Sequence, residues 1–153
     1  MRKICNHEST ENEIGYLIWQ ITKVWQRGRQ KILDEFGLTS SQIEILGAIY
    51  HLSEKKEEEI TQIFLSQETN IDPMTTSTIL RNLEKKRLII RKKSEMDTRA
   101  RSIELTKEGY KLFEKAIEKV KSGQELVYQN IDKEALRTQL RILLDTINKL
   151  KNF

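Results

Sequence analysis

The chain has 153 residues, of which 33% are charged, with six Gly, one Pro and a formal net charge of +4. That length suits one domain with its own core, and the composition suits a helix-rich soluble protein. No apolar run approaches the ~20 residues of a spanning helix, and the N-terminal MRKICNHESTENE has no apolar stretch like that of a signal peptide, so a cytoplasmic protein with no membrane partner is expected.

Ile14, Leu17, Ile18, Ile21, Val24, Trp25, Ile32, Leu33 and Phe36 recur at helical spacing and predict a long amphipathic helix over about Glu11 to Phe36. Gly37 closes it. Thr39-Ser40-Ser41-Gln42 has the form of a capping box, in which Gln42 reaches back to the Thr39 amide. It opens a second helix through Ile43, Leu46, Ile49 and Tyr50 to about Leu52. The charged run from Glu54 to Glu59 reads as a solvated connection.

Thr61 to Thr69 and Pro73 to Lys86 are two helical pieces separated only by Asn70-Ile71-Asp72, the spacing of a helix-turn-helix. Asn70 tolerates a left-handed backbone, Asp72 is a good N-cap, and Pro73 fits the first helical position, where its missing N–H costs nothing. Small Ser66 allows a close helix crossing, with Leu65, Ile71, Ile79, Leu80 and Leu83 as shared core. Beyond Lys86 the period changes to alternation, so Leu88 to Lys93 and Arg101 to Leu105 predict two strands joined through Ser94 to Ala100. Thr106 caps a long helix through Tyr110, Phe113, Ile117, Val120, Val127 and Tyr128. Asp132 caps a last helix through Leu136, Leu140, Leu143, Leu144, Ile147 and Leu150. The predicted fold is mainly α with a small β-hairpin wing. A winged helix-turn-helix over residues 39–106 is flanked by helices at 11–36 and 107–151, all within one domain over 1–153.

Charge is concentrated in one window. Arg81 to Arg101 holds nine basic and three acidic residues, net +6, against 18 basic and 20 acidic, net −2, in the rest of the chain. Such a patch suits a polyanion, because Lys and Arg that neutralise phosphates release condensed counterions; the plainer reading is a solvated basic face. With Ile79, Leu80 and Leu83 pointing inward, the helix from Pro73 leaves Thr75, Thr78, Arg81, Asn82 and Lys85 along the opposite face, and these with Thr76 are its DNA-binding candidates. Thr offers a hydroxyl and a methyl, Asn can pair with adenine and Arg with guanine, which suits the major groove of double-stranded DNA. A generic polar helix face is the alternative. It is weakened because the helix is the second of a helix-turn-helix and runs directly into a basic hairpin.

At these residues the sequence resembles the MarR family of transcription regulators. The resemblance rests on Asp72-Pro73-Met74-Thr75-Thr76-Ser77, Leu83-Glu84-Lys85-Lys86, Asp97-Thr98-Arg99-Ala100 and Leu105-Thr106-Lys107-Glu108-Gly109. It implies a winged-helix repressor that binds a palindromic operator as a homodimer. It assigns Arg99 to the minor groove and Asp97 to holding the wing tip, and it leaves Arg101, Lys92 and Lys93 as phosphate contacts. One departure stands out: the family usually has Gly where this chain has Arg87, so a left-handed residue there should carry strain of up to ~1 kcal/mol.

Three long helices with apolar stripes exceed what one winged-helix core can cover, and a second copy solves the problem; an intramolecular bundle is the alternative. The resemblance also implies a signal, which in such regulators is a small phenolic or aromatic ligand, an oxidant or a metal. Tyr16, Trp19, Trp25, Tyr50 and Phe113 are candidates for an aromatic effector pocket, or else plain core. Gly15 stands where the peroxide-sensing branch has a cysteine, and the single cysteine, Cys5, reads as an incidental thiol. With one cysteine and only His7 and His51, neither a metal site nor a cofactor is expected. No Gly-rich phosphate loop, Gly-x-Ser-x-Gly or His-Glu-x-x-His motif supports an enzyme. The remaining alternatives are a winged-helix protein-interaction module and a non-specific architectural DNA binder.

Overall fold

A computed structural model describes residues 13–55, 59–93 and 101–150. Within them α1 (Ile14–Asp34) is followed by a turn in which Gly37 takes φ +62° and the Leu38 N–H returns to the Leu33 carbonyl at 3.1 Å. This closure satisfies end carbonyls that the helix leaves unpaired, and the flanking Leu33 and Leu38 are both buried. The capping box forms as expected. Gln42 N donates to Thr39 Oγ1 at 3.2 Å and Thr39 N donates to Gln42 Oε1 at 3.1 Å, opening α2 (Ser40–Lys55). That helix continues past its expected end at Leu52 as far as Lys55, whose charge suits a helix C-terminus.

α3 (Gln62–Thr69) starts with Thr61 Oγ1 accepting from Phe64 N and ends at Asn70, which has φ +52°. α4 (Pro73–Lys85) starts with Asp72 accepting from Thr75 N at 2.9 Å. β1 (Ile89–Lys93) and β2 (Arg101–Leu105) pair antiparallel from Ile89↔Leu105 to Lys93↔Arg101. Leu88 was expected in the first strand but lies in the turn before it. Its N–H goes back to Leu83 O and its carbonyl accepts from Thr106 N, both at 3.0 Å. One pairing was not expected: Thr61 bridges Ser102, and Ile103 N donates to Ile60 O at 2.8 Å, so the start of α3 lies along β2.

α5 (Lys107–Val127) opens on Thr106, whose hydroxyl accepts from Gly109 N at 3.0 Å and donates to Arg87 O at 2.7 Å. Gly109 is required here because a Cβ would lie 1.9 Å from the Leu88 carbonyl oxygen. The Leu-Thr-x-x-Gly run is therefore a cap plus a close helix-to-turn crossing.

The chain comprises two compact units, Met1–Ile117 and Glu118–Phe153. The core of the first is built from Ile43, Ile45, Leu46 and Ile49 of α2, Leu65 of α3, Leu80 and Leu83 of α4, the strand residues Ile89 and Ile103, and Phe113 and Ala116 of α5. In the second, α6 (Lys133–Lys149) is capped by Asp132, which accepts from Glu134 N and Ala135 N. No residue of α6 is buried, and Leu140, Ile142 and Leu144 are each more than half exposed. Among the described residues no helix is long and apolar enough to cross a membrane.

Candidate nucleic-acid interface

The turn between α3 and α4 is held at a single atom. The Ile71 carbonyl accepts from Ser66 Oγ of α3 at 2.6 Å and from Thr76 Oγ1 of α4 at 3.2 Å. Gln62 Nε2 adds a contact of 3.3 Å to Pro73 O. Asp72 takes hydrogen bonds from Thr75, which hold its carboxyl below the ordinary value. These contacts also correct one expectation: Thr76 is fully buried, and its hydroxyl braces the turn, so it does not face outward with its neighbours.

The other expected residues of this helix do face solvent. Thr75, Thr78, Arg81, Asn82 and Lys85 are exposed, opposite the buried Thr76, Ile79, Leu80 and Leu83. Thr78 Oγ1 donates to Met74 O at 3.1 Å, which ties down its hydroxyl. Arg81 lies back along the helix, with Nη2 3.4 Å from Thr78 Oγ1 and Nε 3.4 Å from Ser77 O, contacts long enough to give up to a ligand. Sequence reasoning missed Met74. It is 82% exposed in the first turn of α4. Its signal was present in the spacing: Met74, Thr78, Arg81 and Lys85 stand at i, i+4, i+7 and i+11, one line along the helix.

In the hairpin Lys92, Lys93 and Arg101 are exposed. Lys92 Nζ sits 2.6 Å from Glu104 Oε2, with both side chains about half exposed. A surface pair of this kind contributes little, so the lysine can exchange that carboxylate for phosphate. Asp97 and Arg99 lie outside the described residues.

Two other cations of the basic window serve the fold. Arg91, whose side chain is 18% exposed, pairs with Glu84 of α4, and its guanidinium holds the Glu84 carboxyl below the ordinary range. Lys86 donates to Gly37 O and, at 3.3 Å, to Gln42 Oε1. Between them Arg87 adopts φ +59°, the left-handed backbone anticipated for that position. Its side chain is exposed, while its N–H is held by Glu84 O and its carbonyl by Thr106.

The aromatic candidates fall into different groups. Tyr50 of α2 packs on Phe113 and Tyr110 of α5, with ring centroids 4.8 and 4.9 Å apart, and the two tyrosine hydroxyls are 3.2 Å apart. That hydrogen bond, then burial, pushes Tyr50 up to about 12. Phe113 is core, 4% exposed. Tyr16 and Trp19 form their own pair on α1, with Lys23 Nζ 4.0 Å from the centre of the Trp19 ring. Trp25, also on α1, is partly buried.

The comparisons with known proteins agree with this geometry. The model of the family described as transcriptional regulator SarA/Rot matches residues 28–116, more than half of the chain. An uncharacterised HTH-type regulator of Bacillus subtilis, YdcH, is 37% identical over 95 residues, covering 62% of this chain and 64% of that protein. This chain thus aligns with just under two thirds of that relative's length. The organic hydroperoxide resistance transcriptional regulator of the same species is 27% identical over 152 residues, covering 94% of this chain and 95% of its own. Among solved structures, the Staphylococcus aureus MepR–DNA complex superposes with a TM-score of 0.76 at 26% identity, covering 90% of this chain and 98% of MepR. Solved MarR-family regulators share the fold.

Proposed function

The chain belongs to the SarA/Rot family of transcriptional regulators, of the MarR winged-helix type, and on that premise we propose that it is a ligand-responsive repressor binding a palindromic operator as a homodimer. The observation that carries the reading is the exposed line on α4, with one apolar, one hydroxyl and two basic residues unobstructed on the second helix of a helix-turn-helix, beside a basic hairpin. In this reading Thr75, Thr78, Arg81 and Asn82 face base edges, joined by Met74, whose thioether suits a thymine methyl. Lys85, Lys92, Lys93 and Arg101 meet phosphates, Arg99 enters the minor groove, and Asp97 steadies the wing. DNA as partner is supported by the relatives solved with it.

The homodimer is supported by uncovered apolar surface. On α1, Ile14, Leu17, Ile18, Ile21 and Val24 follow helical spacing and are 40–73% exposed. Each such side chain gains ~1.5 to 3 kcal/mol when fully buried, so a second copy is a strong candidate to cover them. Two-fold symmetry would set the two α4 helices about 34 Å apart, one turn of DNA. We read the whole chain as one regulatory domain whose effector shifts the spacing of the two helices. The peroxide response named for one relative is not carried over, since Gly15 stands where a sensing cysteine is expected from the resemblance.

Selection of duplexes from a random pool, followed by affinity measurement, tests the reading. The expected outcome is a selected palindrome bound ~10³-fold or more tightly than random duplex. Equal affinity for both would leave an architectural binder, and no binding to either would leave a protein-interaction module.

A further inference from the structure

The basic window contains one lysine that is exposed yet has its ammonium engaged by the protein's own oxygens rather than left free along the face of α4. Lys86 is the C-cap of α4, and its ammonium donates to the Gly37 carbonyl and to Gln42 Oε1, residues 49 and 44 positions away. Gly37 sits just beyond the C-terminus of α1, where unpaired carbonyls and the helix dipole attract a cation. Gln42 is 6% exposed, and the same oxygen already accepts from Thr39 N. On the far side of this corner, Gln30 of α1 donates to Leu38 O at 3.0 Å and accepts from both Ser40 N and Ser40 Oγ. An unbroken set of polar contacts therefore runs from α1, through the α1–α2 turn, to the end of α4. The next residues are fixed from the other direction, since Thr106 donates to both the Arg87 and Leu88 carbonyls.

We propose that Lys86 is a positioning residue: it fastens the C-terminal end of α4 to the α1–α2 corner and so sets the angle at which α4 meets DNA. This rests on the sequence-specific reading above. A phosphate contact is sequence-blind and each one contributes about one unit of salt slope, whereas an orienting contact acts on discrimination and leaves the slope alone. The corner also joins the helix that carries the uncovered apolar stripe to the helix that faces DNA. A displacement of α1 would reach α4 at this point.

The test uses the full chain and four variants, Lys86→Met, Gln42→Met, their combination, and Lys85→Met as a phosphate-contact control, on selected and random duplexes over a salt series. Melting curves accompany each variant. Lys86→Met is expected to keep the wild-type salt slope on random duplex and to lower the preference for the selected duplex by roughly three- to thirtyfold. Lys85→Met is expected to reduce the slope by about one. Adding Gln42→Met to Lys86→Met should cost little further preference, because the Lys86–Gln42 contact is already gone and what Gln42 still holds is the cap of α2, which shows in the melting curve. A slope reduced by Lys86→Met as much as by Lys85→Met overturns the proposal, as does an unchanged preference. If Lys86→Met melts too low to assay, Gln42→Met alone must lower the preference at constant slope, by less than the full loss because the Gly37 contact remains, and an unchanged preference overturns the proposal. Failure of the sequence-specific reading would appear separately, as a wild-type chain without preference; the random-duplex slopes would still decide whether Lys86 meets phosphate.

Discussion

Replacing Gly109 by alanine tests the account of how α5 leaves the wing. The added Cβ would stand 1.9 Å from the Leu88 carbonyl oxygen, 2.8 Å from its carbon and 3.2 Å from its Cα. All three are backbone atoms, so no side-chain rotation relieves the overlap, and the carbonyl has to retreat by roughly an ångström. That oxygen is the acceptor for Thr106 N at 3.0 Å, and Thr106 also binds Arg87 O and caps Gly109 N. Losing a buried hydrogen bond costs ~1 to 3 kcal/mol and overpacking a rigid site ~1 to 3 more, while alanine's better helix propensity returns up to ~1. The net expectation is a destabilisation of about 3 kcal/mol, which for a chain of this size lowers the melting temperature by ~6 to 12 °C in a thermal scan. The sign is decisive. At an unobstructed helical position Gly→Ala raises stability, so a melting temperature equal to or above wild type would refute the close crossing.

Arg87→Gly relieves a left-handed backbone without losing a buried side chain, and should gain up to ~1 kcal/mol in denaturant unfolding. It should also weaken DNA binding and lower the salt slope by about one if the extra charge compensates for the strain; higher stability with undiminished binding would break that link. For Met74, replacing operator thymines singly by deoxyuridine should weaken wild-type binding about fourfold at the contacted position, one buried methyl, and leave Met74→Ala indifferent there. Equal uracil sensitivity in both proteins would remove Met74 from the reading. The Asp72 and Glu84 carboxyls lie below their ordinary values, so their contributions are complete above those values and disappear as the pH falls through the lowered ones. Unfolding free energy should be flat in this respect between about pH 6 and 8 and drop in acid. Asp72→Asn, which keeps a capping side chain, should show a shallower drop, and an identical acid profile would argue against the cap.

How much of this was legible depends on how far apart the interacting groups are in sequence. Thr39 with Gln42, Asp72 with Thr75, Asn70 in its turn and Asp132 with the next helix are contacts within a few residues, and all formed as expected. Thr76 and Met74 were misassigned or missed for another reason. At both positions helical phase, not residue type, decides which way the side chain turns. Thr76 is in step with Leu80 and Leu83, at i+4 and i+7, and so turns inward although it is polar, while Met74 is in step with Thr78 and Arg81 and turns outward although it is apolar. The partners of Lys86 and the pairing of Thr61 with Ser102 span more than 40 residues, and no local pattern announces them.

The same separation governs the charge. Net charge in the window from Arg81 to Arg101 treats every cation as equivalent, but a cation held through a part-buried contact has less to offer a phosphate than one in an exposed pair such as Lys92 with Glu104. Arg91 is committed to Glu84 and Lys86 to the corner of α1 and α2. Nine phosphate contacts per chain would give a slope near −8, and withholding these two brings the ceiling to about −6. What the two cations do instead is fix both ends of a mechanical problem. Arg91 ties the hairpin to α4 through Glu84, and Lys86 ties α4 to the turn and first residues of α2 that follow α1, so the hairpin, α4 and the α1–α2 corner are linked by charge-assisted contacts. The basic window is therefore part solvent-facing charge and part frame, and under the proposed reading the frame is the route by which a small movement at the end of α1 would reach α4.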